Sequence, residues 1–380
     1  MNPSALIYHA VAPGRVNLLG EHLDYNGGQV MPAAIDRAVR LEFSPRADHL
    51  VHLAALDLKE ETEFSLDHLA EATDVQGDPL PVWARYPAGV AWAMQKEEIP
   101  LCGLDGQFTS DIPMGSGLSS SAAVELAFSV AWNFLSEVKR DAMQLALISQ
   151  KAENRYVGVN CGIMDQFASA CGVEDHVLLF DTRSLEWQPL PLPENTAIVV
   201  ADSTMRRSLT TSVYNDRRGA CERAVLILKK YLPDIQALRD VTPAQFEEFC
   251  RFLPEDEFKR ARHVVYECAR VTRAERMLRE GDAKGFGSLM VACHNSLRDY
   301  FEVSIPELNK LVEIAVALPG CIGARLTGAG FGGCTVNLVQ TEKVDDFIAA
   351  LREGYQAATG MTAPVYLCRA SRGARVLEEA

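Results

Sequence analysis

The segment from Asp111 to Ala123 constrains this chain more than any other, because it places two glycines and four serines between an extended stretch at 106–112 and a helical pattern. The pattern is the recurrence of Val124, Ala127, Phe128, Ala131 and Leu135 at helical spacing. A tight turn without bulky side chains leaves backbone N–H groups free to face an anion, and a helix start supplies the same polarity. Gly115, Ser116, Gly117, Leu118, Ser119, Ser120 and Ser121 therefore form a cradle of the kind that holds nucleotide phosphates. The three consecutive hydroxyls fall where a phosphate oxygen or a magnesium ion would sit. No Gly-Lys-Ser or Gly-Lys-Thr follows, which excludes a Walker loop, and the spacing is wrong for a dinucleotide fingerprint. Taken alone, the segment is equally compatible with an ordinary Gly/Ser turn and helix cap.

The chain leaves room for a two-domain enzyme. Its 380 residues are 48% hydrophobic, enough to bury a substantial core. A formal net charge of -14 argues against nucleic acid as the partner, while a local basic pocket for an anionic substrate remains compatible with an acidic exterior. Ten scattered cysteines form no paired metal-ligand spacing and read as small buried residues of a reducing compartment, with a disulfide left open. The first eight residues carry no secretory pattern, and no run is long and apolar enough to span a bilayer. The expected address is the cytoplasm, without a membrane partner.

In chain order, 8–18 reads as extended and breaks into a dense polar cluster holding Glu21, His22, Asp24 and Asn26, with Arg15 just upstream. Glu21 and Asp24 can accept hydrogen bonds and His22 can do either, as a polyhydroxyl ligand requires; a core or capping histidine and a turn-forming Asp/Asn pair are the alternatives. Residues 35–43, 49–54 and 62–66 read as strands and 82–96 as a helix whose Trp83 or Tyr86 either packs in the core or walls an adenine pocket. A helix over 143–156 carries Glu153 and ends at Gly158. Asp165 then stands among Cys161, Ile163, Met164 and Phe167, where an isolated carboxylate is costly unless Arg15 or a metal pairs with it or it caps the segment that follows. Strands are expected at 176–181 and 196–201, joined by a proline-marked loop at 189–193. Tyr214 to Arg218 opens a helix, and 243–278 is mainly helical with charges that read as solvated. Helices at 287–300 and 306–317 follow, then strands at 324–327 and 334–338 around four glycines that allow a second backbone or a phosphate to approach closely. A helix at 343–357 and a strand at 363–369 close the layered second half.

Three of these segments, Arg15 to Asn26, Pro113 to Ala122 and Leu326 to Gly333, resemble in order the signature motifs of the GHMP small-molecule kinases. The run from Gly14 to His22 is similar to the galactokinase branch, and Trp83 to Val90, Cys161 to Phe167 and Tyr214 to Arg218 extend the likeness over nearly the whole chain.

The resemblance implies an α/β (α+β) fold of two domains, an amino-terminal mixed α/β domain over about 1–180 and a carboxy-terminal ferredoxin-like domain over about 181–380, with the active site between them. It implies transfer of the terminal phosphate of ATP to the anomeric hydroxyl of galactose. Asp165 matches the base or aligning group and Arg15 the cation that steadies it. Glu21, His22, Asp24, Gly162 and Tyr214 match sugar contacts; Gly115 to Ser121, with Trp83 beyond it, matches the ATP site; Ser120 and Glu153 match the Mg2+-associated pair. A monomer is the family expectation. Two departures stand out: the chain starts only a few residues before its first strand, without a longer helical lead, and Leu23 replaces the usual threonine beside the sugar contacts. The alternatives are a kinase for N-acetylgalactosamine or another sugar, and a sensor that binds without turnover, against which the intact run from Ser119 to Ala123 counts.

Overall fold

A computed structural model describes residues 6–206 and 210–377, the side chains of 210–213 excepted. Arg207 and Ser208, which follow the strand expected at 196–201, lie outside the described residues, as do the first five. The elements run β1 (Tyr8–Asn17), β2 (Gln29–Val30), β3 (Pro32–Arg46), β4 (Leu50–Ala55), β5 (Glu60–Ser65), α1 (Arg85–Lys96), β6 (Gly103–Ser110), α2 (Ser120–Leu135), α3 (Ala142–Ala152), α4 (Met164–Cys171), β7 (His176–Asp181) and β8 (Trp187–Pro191). They continue as β9 (Thr196–Asp202), α5 (Thr210–Leu228), α6 (Pro243–Phe249), α7 (Glu255–Glu280), α8 (Ala283–Ser296), α9 (Pro306–Ala317), β10 (Cys321–Leu326), β11 (Cys334–Gln340), α10 (Val344–Thr359), β12 (Val365–Cys368) and β13 (Arg375–Leu377).

The first layer is a six-stranded sheet in the order β13-β1-β3-β6-β4-β5, packed against α2 and α4. α2 is buried on most of its circumference, through Ala122, Ala123, Leu126, Ala127, Phe128, Ala131 and Trp132, so it is the central helix of the amino-terminal core. α3 starts in a capping box between Asp141 and Gln144 and runs into a π turn, Glu153–Val157, that Gly158 closes at φ 90°. The second sheet is antiparallel, ordered β10-β11-β9-β12, with α9 and α10 over one face. Its chain order β9, β10, β11, β12 becomes the 2-3-1-4 spatial order of a ferredoxin-like domain, with helices after the first and third strands. Val199, Ala201, Leu311, Ala315, Phe347, Leu351 and Tyr355 fill that layer's separate core.

Four expectations change. Residues 187–191 pair with β7 as strand β8 rather than looping, so a boundary at 180/181 falls inside the β2-β7-β8 sheet. β13, not anticipated, returns the end of the chain to β1. α5 is already helical from Thr210, before Tyr214. Finally, α7 is not simply solvated: Glu257, Arg260, His263 and Glu267 are buried.

Candidate active site

β1 delivers Arg15 to the base of a cleft of about 480 Å³ between the two layers. Arg15 is buried, and its Nε and Nη2 reach Asp165 Oδ1 at 2.8 and 2.7 Å while Nη1 donates to the Gly117 carbonyl at 2.6 Å. One guanidinium therefore ties the carboxylate to the glycine-serine loop. Asp165 sits in the first turn of α4 without capping it; Ile163 is the cap residue and no side chain serves there. Of the readings left open for Asp165, the pairing with Arg15 is the one observed.

The polar cluster after β1 forms one wall. Glu21 is buried, and its Oε2 takes Arg325 Nη2 at 2.5 Å and the Gly328 N–H at 3.1 Å. His22 adopts φ 63°, and its Nδ1 lies 2.9 Å from the Tyr25 hydroxyl, with the Phe301 ring 4.5 Å away. Tyr214 on α5 stacks edgewise on Tyr25 at 5.4 Å and lines the cleft. A Cβ at Gly162 would fall 1.7 Å from Asp24 Oδ2, so a side chain there would displace the Asp24 carboxylate. Burial, with Asp165 and Glu21 nearby, pushes the Asp24 carboxyl up to about 7. Leu23 is fully buried in the core and does not line the cleft.

The opposite wall is the loop itself. Gly115 and Gly117 adopt φ 66° and 80°, and Ser119 enters α2 from the left-handed region at φ 62° without a side-chain capping bond. Gly115, Gly117, Ser119, Ser120 and Ser121 line the cleft. Ser116 is turned inward, its hydroxyl donating to the Pro113 carbonyl at 2.6 Å, and Leu118 is buried with its carbonyl accepting the Arg15 N–H at 3.1 Å. The late glycine motif approaches backbone rather than open space: a Cβ at Gly333 would lie 2.4 Å from the Ser116 carbonyl, and one at Gly332 2.5 Å from that of Met205.

Glu153, at the start of the π turn, reaches the same cleft and is nearly buried. Its Oε2 accepts from Gln166 Nε2 at 2.5 Å and from Cys161 Sγ at 3.2 Å, and burial raises its pKa. Among the described residues no three His, Cys, Asp or Glu side chains are grouped to hold a metal alone. Mg2+ at phosphoryl-transfer sites takes only one or two protein oxygens besides substrate phosphates and water, so Ser120 and Glu153, which both line the cleft, suit it. Trp83 stands outside this cleft: its Nε1 donates to Glu60 at 2.7 Å and its ring packs 5.7 Å from Phe108, whereas Tyr86 lines the cleft. A larger apolar groove of about 690 Å³, lined by Tyr8, Val130 and Phe134 among others, contains none of these groups.

Several residues that carry the site had no assigned role in the sequence. Arg206 reaches Asp202 through two bonds of 2.8 and 2.9 Å and stands over Gly115 at the cleft mouth. Glu125, Gln166, Glu267 and Arg325 act from behind the lining. Only the dense Arg206-Arg207 pair after a strand offered a local signal.

Residues 85–173 match the model of the GHMP kinases N terminal domain, residues 274–357 that of the GHMP kinases C terminal, and residues 3–45 the galactokinase galactose-binding signature. The fold and its glycine-serine loop thus define a GHMP kinase, an ATP-dependent small-molecule kinase. The chain is 46% identical to the galactokinase of Chloroflexus aggregans, over 96% of this chain and 92% of that one, and 42% identical to that of Actinobacillus pleuropneumoniae, over 96% and 94%. The structure of Lactococcus lactis galactokinase complexed with galactose superposes with a TM-score of 0.91 at 34% identity, covering 98% of this chain and 95% of that one. A mevalonate kinase of Methanococcus jannaschii, at 18% identity and a TM-score of 0.65, shares the fold, over 98% of this chain and 100% of that one. Within the GHMP kinases, the chain belongs to the galactokinase family.

Proposed function

We propose that this enzyme transfers the γ-phosphate of ATP to the C1 hydroxyl of galactose, giving galactose 1-phosphate and ADP. The observation that carries the reading is the Arg15–Asp165 pair, which sits in one cleft between the polar wall of Glu21, His22 and Asp24 and the Gly117 carbonyl of the phosphate loop.

Asp165 accepts or aligns the proton of the sugar hydroxyl as its oxygen attacks phosphorus; the new O–P bond forms as the bond to ADP breaks. Arg15 holds that carboxylate and offers positive charge to the moving phosphoryl group. Backbone N–H groups from Gly115 to Ser121 and the start of α2 face the ATP phosphates. Glu21, His22, Asp24, the Gly162 backbone and Tyr214 supply the sugar contacts. Ser120 and Glu153 would hold Mg2+, which neutralises phosphate charge when bound. The sugar is the small-molecule partner; a monomer in the cytoplasm, without nucleic acid or membrane, completes the reading, and the net charge of -14 supports the absence of nucleic acid. No helix among the described residues is long and apolar enough to cross a membrane. Tyr86, rather than Trp83, is the cleft-lining aromatic for an adenine wall.

Galactose, glucose, N-acetylgalactosamine, arabinose and mannose, each incubated with enzyme, ATP and Mg2+, test the assignment through ADP release and NMR assignment of the phosphate position. Galactose is expected to give the highest kcat/KM, and its product to carry phosphate on C1. A higher kcat/KM for another sugar would overturn the substrate; phosphate elsewhere would overturn the anomeric reaction; and sugar binding without ADP release would mark a sensor.

A further inference from the structure

Two consecutive residues in the first turn of α4 serve the two sides of the cleft. Asp165 is joined to Arg15 on the sugar side. Gln166 is fully buried, and its Nε2 donates both to Glu153 Oε2 at 2.5 Å and to Glu125 Oε2 at 3.0 Å. A carboxamide NH2 has two protons, so it can serve two acceptors at once and fix their separation. Glu125 lies on α2, the helix that Ser120 begins, and is fully buried. Glu153 belongs to the π turn beyond α3. Gln166 is thus the link that holds α2, the π turn and α4 in one arrangement.

Packing alone does not account for this cluster. Glu125 Oε1 and Gln166 Oε1 are buried and have no hydrogen-bond partner among the described residues. Buried carboxylates and amides with unpaired oxygens oppose folding, and apolar side chains of similar volume would fill the space at lower cost. What the polar trio provides is a fixed direction for Glu153, whose carboxylate also takes the Cys161 thiol at 3.2 Å.

We infer that Gln166, anchored by Glu125, is a positioning residue that aims the Glu153 carboxylate into the cleft that Ser120 also lines and so sets the metal–nucleotide side of the site from the helical turn that carries Asp165. This rests on the reading of Ser120 and Glu153 as the Mg2+-associated pair in a galactose kinase. Because Gln166 acts through Glu153, its loss is felt on the nucleotide side alone.

The test uses Mn2+ as the probe, with binding to the enzyme–ADP complex followed by electron paramagnetic resonance and galactose binding followed by calorimetry. Removing a residue that orients a metal ligand commonly costs about 10- to 100-fold in metal affinity, so Gln166→Met is expected to weaken Mn2+ binding at least about tenfold. Galactose affinity should remain within a factor of about two, since no sugar-side contact is altered. Glu125→Gln, which keeps the shape of the cluster, should produce a smaller loss in the same direction, and it decides the matter by the same two readings if Gln166→Met does not fold. Unchanged Mn2+ affinity in a folded variant would overturn the inference, and so would parallel losses of Mn2+ and galactose affinity, the mark of a general structural role. Wild-type protein that binds neither galactose nor Mn2+ with ADP would instead overturn the functional reading beneath it.

Discussion

The sugar-side wall and the phosphate loop face each other across one cleft, yet they are held by different physics. The sugar wall hangs on buried charge. Glu267 accepts the Gly20 N–H at 2.8 Å, Arg325 meets Glu21 at 2.5 Å, and both partners of that ion pair are buried. Burial alone would raise Glu267, but Arg270, His263 and Arg325 bring it down to about 2, so it stays a carboxylate able to hold the loop. The phosphate loop hangs on close backbone approach. A Cβ at Gly14 would lie 2.6 Å from the Leu118 carbonyl, and one at Gly333 2.4 Å from that of Ser116. A charge lock should fail when one charge is removed, and a steric lock when any side chain is added.

The sharpest break is Arg325→Met. It leaves Glu21 buried without its cation, a change that costs ~3–5 kcal/mol where a buried pair loses one partner. Urea denaturation should show that loss together with weaker galactose binding, and Glu21→Gln in the same chain should recover part of the stability. Full additivity of the two substitutions would refute the charge lock. Asp165→Asn sits where the two walls meet and should act on chemistry instead: removal of a positioned acid–base group lowers turnover by at least roughly a hundredfold, with galactose binding held within about tenfold. Near-normal turnover would remove Asp165 from the reaction. Gly333→Ala adds one methyl group at φ 84° against the Ser116 carbonyl. Strain of this kind is worth ~1–3 kcal/mol, so ATP affinity should fall by roughly tenfold while galactose affinity holds. Equal losses for both ligands would show that the walls are not independently fixed.

How far this was legible depends on whether the demand was local. Glycines at 162 and 333 advertise a missing Cβ, but sequence cannot distinguish a close backbone from a close phosphate, because both require the same absence; at 333 the neighbour is the Ser116 carbonyl. Asp165 was readable as an acid needing a partner, and Arg15 supplied it from 150 positions away. The charged helix α7 reads as solvated in sequence because its mixture of Glu, Arg and Val suits an exposed face equally well; the approach of Gly20 and Arg270 shows that Glu267 points inward. β8 was hidden by Pro189 and Pro191, which an edge strand tolerates because one side of its ladder is unpaired. Gln166 and Glu125 are 41 positions apart and meet only through the packing of α2 and α4. Leu23, a departure beside the sugar contacts in sequence, is buried in the core while His22 and Asp24 on either side of it line the cleft.

The smallest expected effect separates the walls by pH. Asp24 belongs to the sugar side, and its carboxyl is raised to about 7 by burial first, then by Asp165 and Glu21. A raised acid binds its proton more tightly in the folded chain than in the unfolded one. Its contribution to stability therefore falls as pH rises from about 4 toward 7, and the cost of burying its charge is fully present above that range. Sugar hydroxyls that donate to the carboxylate favour the ionised form, so galactose binding should release a proton near neutrality and strengthen with pH. For a group titrating near 7, the ionised fraction changes about tenfold between pH 6 and pH 8, and galactose affinity should follow it by a similar factor. Calorimetry in buffers of different ionisation enthalpy reads both the affinity and the proton released. Asp24→Asn should abolish this inflection for galactose. A galactose affinity that stays flat from pH 6 to pH 8 would remove Asp24 as a proton-linked group, and an inflection that survives Asp24→Asn would place that group elsewhere on the sugar wall.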